Sequence, residues 1–179
     1  MTQIIMDYAR LGREQPGSAK VALRPLVEAI VAESKGEFAA HAIKAEIAID
    51  PAVVLTAKET HIYSIIKNLV LNAKDALIER DGRDGRLIRI SAAEDEERRV
   101  LRVEDTGSGI APENHAKIFD PFFSTKPRTG TGLGLGMVKR LVNLYEGTID
   151  VESEVLRGTT FVITLPRRER IDPETPAVP

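Results

Sequence analysis

Four glycines alternate with other residues in Gly130-Thr-Gly132-Leu-Gly134-Leu-Gly136, and the run leads straight into an apolar-periodic stretch that reads as a helix from Gly132 to about Tyr145. Glycines at a helix start let backbone N–H groups and the positive end of the helix dipole face a phosphate. The spacing also excludes two common ways of doing so. No Gly-Lys-Ser/Thr follows, as a Walker loop requires, and G-x-G-x-G is not the G-x-G-x-x-G of the dinucleotide fingerprint.

Bulk properties narrow the choice further. A chain of 179 residues, 42% hydrophobic and 29% charged, has the composition of one globular domain. Lys and Arg total 25 against 27 acidic residues, so a net charge of -2 offers no chain-wide attraction to nucleic acid or an anionic membrane. Any anion must be bound locally, and nucleic acid is not expected as a partner. The absence of cysteine removes disulfides, thiolate metal sites and cysteine nucleophiles. No apolar run approaches the roughly 18 residues that span a bilayer, so a cytoplasmic location is expected, without bearing on a longer, membrane-anchored parent.

Periodicity supplies the elements. Residues 1–11 carry Ile4, Tyr8 and Leu11 at helical spacing before the breakers Gly12 and Pro16-Gly17, as in a short helical stub. Residues 24–42 place Leu26, Val27, Ile30, Val31 and Phe38 on one side of an amphipathic helix, with Pro25 in its first turn. Residues 45–49 alternate like a strand. Thr56-Ala-Lys-Glu59 fits a capping box, and behind it Ile62, Ile65, Ile66, Leu69, Ala73 and Leu77 form a core-facing stripe that ends near Asp81-Gly82. Residues 86–92 and 98–105 read as a strand hairpin. A short helical piece at 112–119 precedes an irregular segment, 120–131, expected to be a mobile loop. The last helix should stop at a Gly147 C-cap, followed by strands 148–153 and 159–165 with Gly158 at their turn. The expected fold is an α/β (α+β) two-layer sandwich, with a mixed sheet of about five strands and three main helices.

Two further groups carry chemistry. Asn68, Asn72 and Asp75 stand at i, i+4 and i+7 beside the apolar stripe, and an amide oxygen is a hard ligand that suits Mg²⁺ without adding charge beside a triphosphate. In Asp105-Thr-Gly107-Ser-Gly109-Ile110, an aspartate at a strand end can accept from an exocyclic amine, while Gly107 and Gly109 permit positive φ and close approach of a flat ligand. Taken singly, either group is also compatible with a solvated helix face or an ordinary Asp-Gly turn.

In order and spacing, NLVLNAKDAL (68–77), DTGSGI (105–110), FDPFFSTK (119–126), GTGLGLGMV (130–138) and GTTFVITLP (158–166) resemble the asparagine box, first glycine box, phenylalanine box, second glycine box and closing strand of sensor histidine kinase ATP-binding domains. The resemblance implies the Bergerat ATP-binding fold shared with DNA gyrase, MutL and the large heat-shock chaperones, with ATP and Mg²⁺ as cofactors. Carried over by position, it implies that Asn72 holds Mg²⁺, with Asn68 assisting and Asp75 on the same face. Asp105 would recognise the adenine amine with the Thr159 hydroxyl as a water-linked partner, and Gly107, Gly109 and Ile110 would flank the base. Gly130, Thr131, Gly132, Leu133 and Gly134 would form the phosphate-side lid, Lys126 its cation, with Arg128 second. Phe119, Phe122 and Phe123 would anchor that lid in the core.

Asn68 also bears on the reaction. The hydrolysing relatives carry a water-activating glutamate at this position, and an amide is a poor general base, so transfer to an external nucleophile fits better than hydrolysis. Only His41, His61 and His115 are present, and none has the family's acceptor context; each reads as a surface or supporting histidine. The resemblance therefore implies a fragment of a longer, homodimeric kinase: a stub of the dimerisation helix and linker at 1–19, the ATP domain at 20–166 and a disordered tail at 167–179. Its partners would be the parent's phospho-acceptor histidine hairpin and a response regulator receiver domain, whose aspartate takes the phosphoryl group on. An anti-sigma serine kinase of the same superfamily and a non-catalytic nucleotide-sensing module stay open as alternatives.

Overall fold

The computed structural model describes residues 16–17, 19–80, 82, 84–124 and 132–167. The stub at 1–11, most of the tail, and Lys126, Arg128, Gly130 and Thr131 of the lid lie outside the described residues.

The chain runs β1 (Lys20–Ala22), α1 (Leu23–Glu33), α2 (Lys35–Ala40), β2 (Lys44–Ile49), β3 (Val54–Thr56), α3 (Glu59–Glu79), β4 (Leu87–Glu94), β5 (Arg98–Asp105), α4 (Gly134–Leu144), β6 (Thr148–Glu154) and β7 (Gly158–Pro166). Among the described residues, a 3-10 turn, Pro112–Asn114, lies between β5 and α4. Five strands form one mixed sheet in the order β2-β4-β5-β7-β6, in which β2 pairs parallel with β4 and the other neighbours are antiparallel. The two-layer sandwich and its three main helices are as the periodicity implies, with β4 and β5 as the expected hairpin.

Register shows why only one sheet face is covered. Ile47, Ile90, Val103, Phe161 and Val151 form one apolar row across all five strands, and next to it Glu46, Arg89, Glu104, Thr160 and Glu152 form a polar row on the opposite face. Alternating side chains on a pleated strand require this. α3 packs against β4, β5, β7 and α4, and α1 covers β2 and α3. All six residues of the expected α3 stripe are buried, joined by Val70 and His61.

Three local expectations are corrected. The amphipathic stretch 24–42 is two helices, divided at Ser34, whose hydroxyl bonds back to the Ile30 carbonyl at 3.4 Å. Serine there, with Gly36 next, weakens helix continuation. Thr56 does not cap α3: it belongs to β3, paired with Lys20 of β1. The N-cap is Lys58, without a side-chain cap, and its N–H instead donates to the Tyr145 hydroxyl at 2.9 Å. Strands of three residues lie below what alternation can reveal, so β1 and β3 were not foreseen.

Gly147 is not the left-handed cap of α4. That position is Glu146, at φ 58, with Glu146 N–H donating to Asn143 O at 3.0 Å and Gly147 N–H to Val142 O at 3.1 Å. These are the two bonds of a Schellman motif. Gly147 is small for another reason: a Cβ would lie 2.6 Å from the Thr164 carbonyl oxygen. Among the described residues, no helix is long and apolar enough to cross a membrane.

Candidate functional site

Asn68, Asn72 and Asp75 project from one face of α3 into a cleft of about 480 Å³. Its other walls are the strand end at Asp105, Gly109 and Ile110, Thr159 and Phe161 of β7, and Gly132, Gly134 and Leu135 at the start of α4. The volume falls in the range of roughly 300–1,000 Å³ usual for small-molecule sites.

At one end Asp105 and Thr159 are register partners on β5 and β7, only 5% and 4% exposed. Asp105 Oδ1 accepts the Gly107 N–H at 2.7 Å, which holds the carboxylate in place. Burial with a backbone donor leaves an acceptor-rich end to the cleft.

The two glycines there serve different ends. Gly109 stands at φ +70, and a Cβ would collide with the Glu154 carbonyl oxygen. Gly107 is not left-handed as expected; a Cβ on it would lie 2.7 Å from both Ala76 Cβ and Asp105 Oδ1, so close packing of α3 on the loop requires its smallness. Ser108 N–H donates to Ala76 O at 3.0 Å in the same contact.

The other end is built from amides and the α4 start. Asn68 Nδ2 donates back to Ser64 O at 2.7 Å, and a Cβ on Gly134 would lie 2.9 Å from Asn68 Oδ1. The amide oxygen thus faces the first residue of α4, where backbone donors of a helix terminus gather. Asn72 Nδ2 is buried and has no hydrogen-bond partner among the described residues. A buried polar atom left so costs about 1–3 kcal/mol.

The outer face of α3 is clamped from behind. Glu33 of α1 takes bonds from Lys67 and Tyr63, both at 2.8 Å, and Glu37 of α2 takes Lys74 at 2.7 Å. The Lys67 bond, then the Tyr63 bond, holds the Glu33 carboxyl below its usual range; Lys74 does the same for Glu37.

Not every expected residue reaches the cleft. Leu133, the residue before α4, is 2% exposed and does not line it. Phe119 and Phe123 pack against the core as expected, and the Phe119 ring meets Phe161 edge-on at 6.3 Å. Phe122 does not anchor there: it is 69% exposed at φ 68, with its N–H donating to Gly132 O at 2.9 Å. Backbone pairing, rather than an aromatic anchor, joins Phe122 to Gly132.

Two of the histidines brace the fold through their rings. His61 is not at the surface but buried on α3, its Nδ1 2.8 Å from the Tyr145 hydroxyl. His115 Nε2 donates to Ile110 O at 3.0 Å and braces the glycine loop, while the His41 carbonyl accepts from Arg86. Sequence reasoning did not single out Ser108, Asn114 or Ser124, which also line the cleft. Their only signal is position within or beside the glycine and phenylalanine boxes.

The family model described as "Histidine kinase-, DNA gyrase B-, and HSP90-like ATPase" matches residues 57–169. The sensor protein SrrB of Staphylococcus aureus is 40% identical over 110 residues, covering 59% of this chain and 18% of that protein. The chain thus matches about a fifth of that curated relative's length. Among solved structures, full-length ShkA in complex with AMPPNP superposes with a TM-score of 0.80 at 26% identity, covering 92% of this chain and 34% of that one. The catalytic domain of histidine kinase ThkA gives 0.72 at 25%, covering 83% and 94%.

Proposed function

The chain belongs to the histidine kinase-, DNA gyrase B- and HSP90-like ATPase family, as an ATP-binding catalytic domain of the sensor histidine kinase type with the Bergerat fold, and from that premise we propose that it donates the γ-phosphate of Mg-ATP to a histidine on the dimerisation hairpin of a longer parent kinase. The response regulator's receiver aspartate then takes the group. On this reading residues 20–166 are the ATP domain of a homodimeric parent.

The observation that carries the reading is the cleft itself, with a buried carboxylate at one end and, at the other, the Asn68 amide facing a helix start with Asn72 one turn on. The AMPPNP complex of ShkA supports an adenine nucleotide as its occupant. Asp105 accepts from the exocyclic amine, Thr159 helps through water, and Gly109 and Ile110 flank the base. Gly132 and Gly134 leave room for phosphate against the start of α4.

The residues present suit Mg²⁺. The Asn72 side chain brings an amide oxygen, a hard neutral ligand, to the cleft wall, and its amide nitrogen has no partner among the described residues. Asn68 assists from the preceding turn. When bound, the ion neutralises charge that develops on the transferring phosphoryl group. The chain's own contribution is to hold the triphosphate and exclude water, with Lys126 proposed as the cation over the phosphates. Asn68 is not a base, so water is not activated at that position.

Incubated alone with labelled ATP, the chain should neither label itself at an acid-labile site nor hydrolyse ATP briskly, and adding the parent's histidine hairpin should produce transfer. Transfer requires the nucleophile in line with the γ-phosphate, and no histidine here is placed for it. Robust self-labelling abolished by mutating His41, His61 or His115 would overturn the reading.

A further inference from the structure

Ser153, Thr159 and Asp105 stand side by side on β6, β7 and β5: Ser153 is the register partner of Thr159, and Thr159 that of Asp105. Ser153 does not line the cleft; it sits behind Thr159. Its hydroxyl has three neighbours. Ile110 N–H donates to Ser153 Oγ at 2.9 Å, the Gly158 carbonyl lies 2.9 Å away, and so does Thr159 Oγ1.

Counting protons settles the directions. A serine hydroxyl has one proton and two acceptor sites. One acceptor site is taken by the Ile110 N–H. A carbonyl cannot donate, so the Ser153 proton goes to Gly158 O. Only an acceptor site remains for Thr159, which must therefore donate its proton to Ser153. The lone pairs of Thr159 are left as what its hydroxyl can offer the cleft.

We propose that Ser153 is a positioning residue that sets base specificity, holding the Thr159 hydroxyl as an acceptor beside the Asp105 carboxylate. This rests on the reading of the Asp105 end as the base site. Two adjacent acceptors complement the two N–H bonds of a six-position amine, directly or through one water. A purine with a carbonyl at the six position meets lone pair against lone pair. Without the Ser153 oxygen, the Thr159 hydroxyl turns and donates, and that discrimination weakens.

Dissociation constants for ATP and ITP, measured by titration calorimetry on the whole chain, test this. The wild type should prefer ATP. Ser153→Ala should narrow the preference by about three- to tenfold, the worth of one neutral hydrogen bond. Ser153→Thr, which restores the hydroxyl, should keep the wild-type ratio. Thr159→Val should narrow it too, and adding Ser153→Ala to Thr159→Val should change it no further, because the two act through one group. A Ser153→Ala variant that weakens both nucleotides equally, or only lowers the melting temperature, would mean a purely structural role and overturn the inference. Should that variant not fold, Ser153→Cys takes the same comparison with a weaker donor and acceptor, and an unaltered ratio there overturns it equally. A wild type that binds neither nucleotide, or both alike, would instead sink the base site on which it rests.

Discussion

Asn72 is a residue where stability and binding oppose each other. Its buried amide nitrogen lacks a partner among the described residues, which costs the free fold about 1–3 kcal/mol. Asn72→Ala should therefore leave the melting temperature unchanged or raise it, yet remove the magnesium-dependent part of ATP affinity. Titration calorimetry with and without the metal separates the two, and equal metal dependence in wild type and variant would take Asn72 out of the site. Asp105 behaves differently, since it is satisfied on one side by the Gly107 N–H. An asparagine keeps that bond through its own oxygen but loses the charge, so Asp105→Asn should cost roughly ten- to a hundredfold in ATP affinity, the 1.5–3 kcal/mol of a charge-assisted bond, with little loss of stability. Comparable affinity of the wild type for GTP would count against it. Asn68, Asn72 and Asp75 were legible because one helix has a known period. That Asp105 lies beside Thr159 was implied by the family resemblance alone, since no local pattern relates two strands far apart in the chain.

At the scale of elements, helix ends show where local signals fail. α2 and α4 both finish in Schellman motifs whose left-handed residue is not glycine: Ala42 at φ 54 and Glu146 at φ 58. Ile43 N–H donates to Phe38 O at 2.8 Å and Ala42 N–H to Ala39 O at 3.3 Å. A left-handed alanine costs about 1–2 kcal/mol, part of which a glycine returns as greater freedom in the unfolded chain. Ala42→Gly should then stabilise by about 0.5–1 kcal/mol net, a rise of roughly 1–4 °C in melting temperature by circular dichroism. A fall would mean that the turn is held by something other than this strain. Nothing in the sequence marks Ala42 or Glu146 as caps, because the usual glycine is missing. The start of α3 misled in the opposite way: a well-formed capping box was overridden when Thr56 paired into β3 and the Tyr145 hydroxyl met the helix from α4.

Across the whole molecule, a single buried cluster joins α1, α3 and α4 to the sheet, and the cleft opens between α3, the strand ends and α4. One core implies one cooperative transition, coincident by far-UV circular dichroism and calorimetry. A nucleotide that binds only the folded state, at a hundred times its dissociation constant, adds about 2.7 kcal/mol and should raise the melting temperature by roughly 5–11 °C. Two separate transitions would break the single-core account, and an unmoved transition with Mg-ATP would contradict the site. The sequence alone determined the polar face of α3, the alternating strands, the glycine-rich start of α4 and the family those boxes resemble. Each is a property of a short stretch: a period, a backbone permission or a motif. Only tertiary structure decided the strand order β2-β4-β5-β7-β6, the pairing of β1 with β3, the exposure of Phe122 and the row of Ser153, Thr159 and Asp105. Those depend on register between distant segments, which is set when apolar rows from all five strands are buried together against the helices, and no single stretch contains that information.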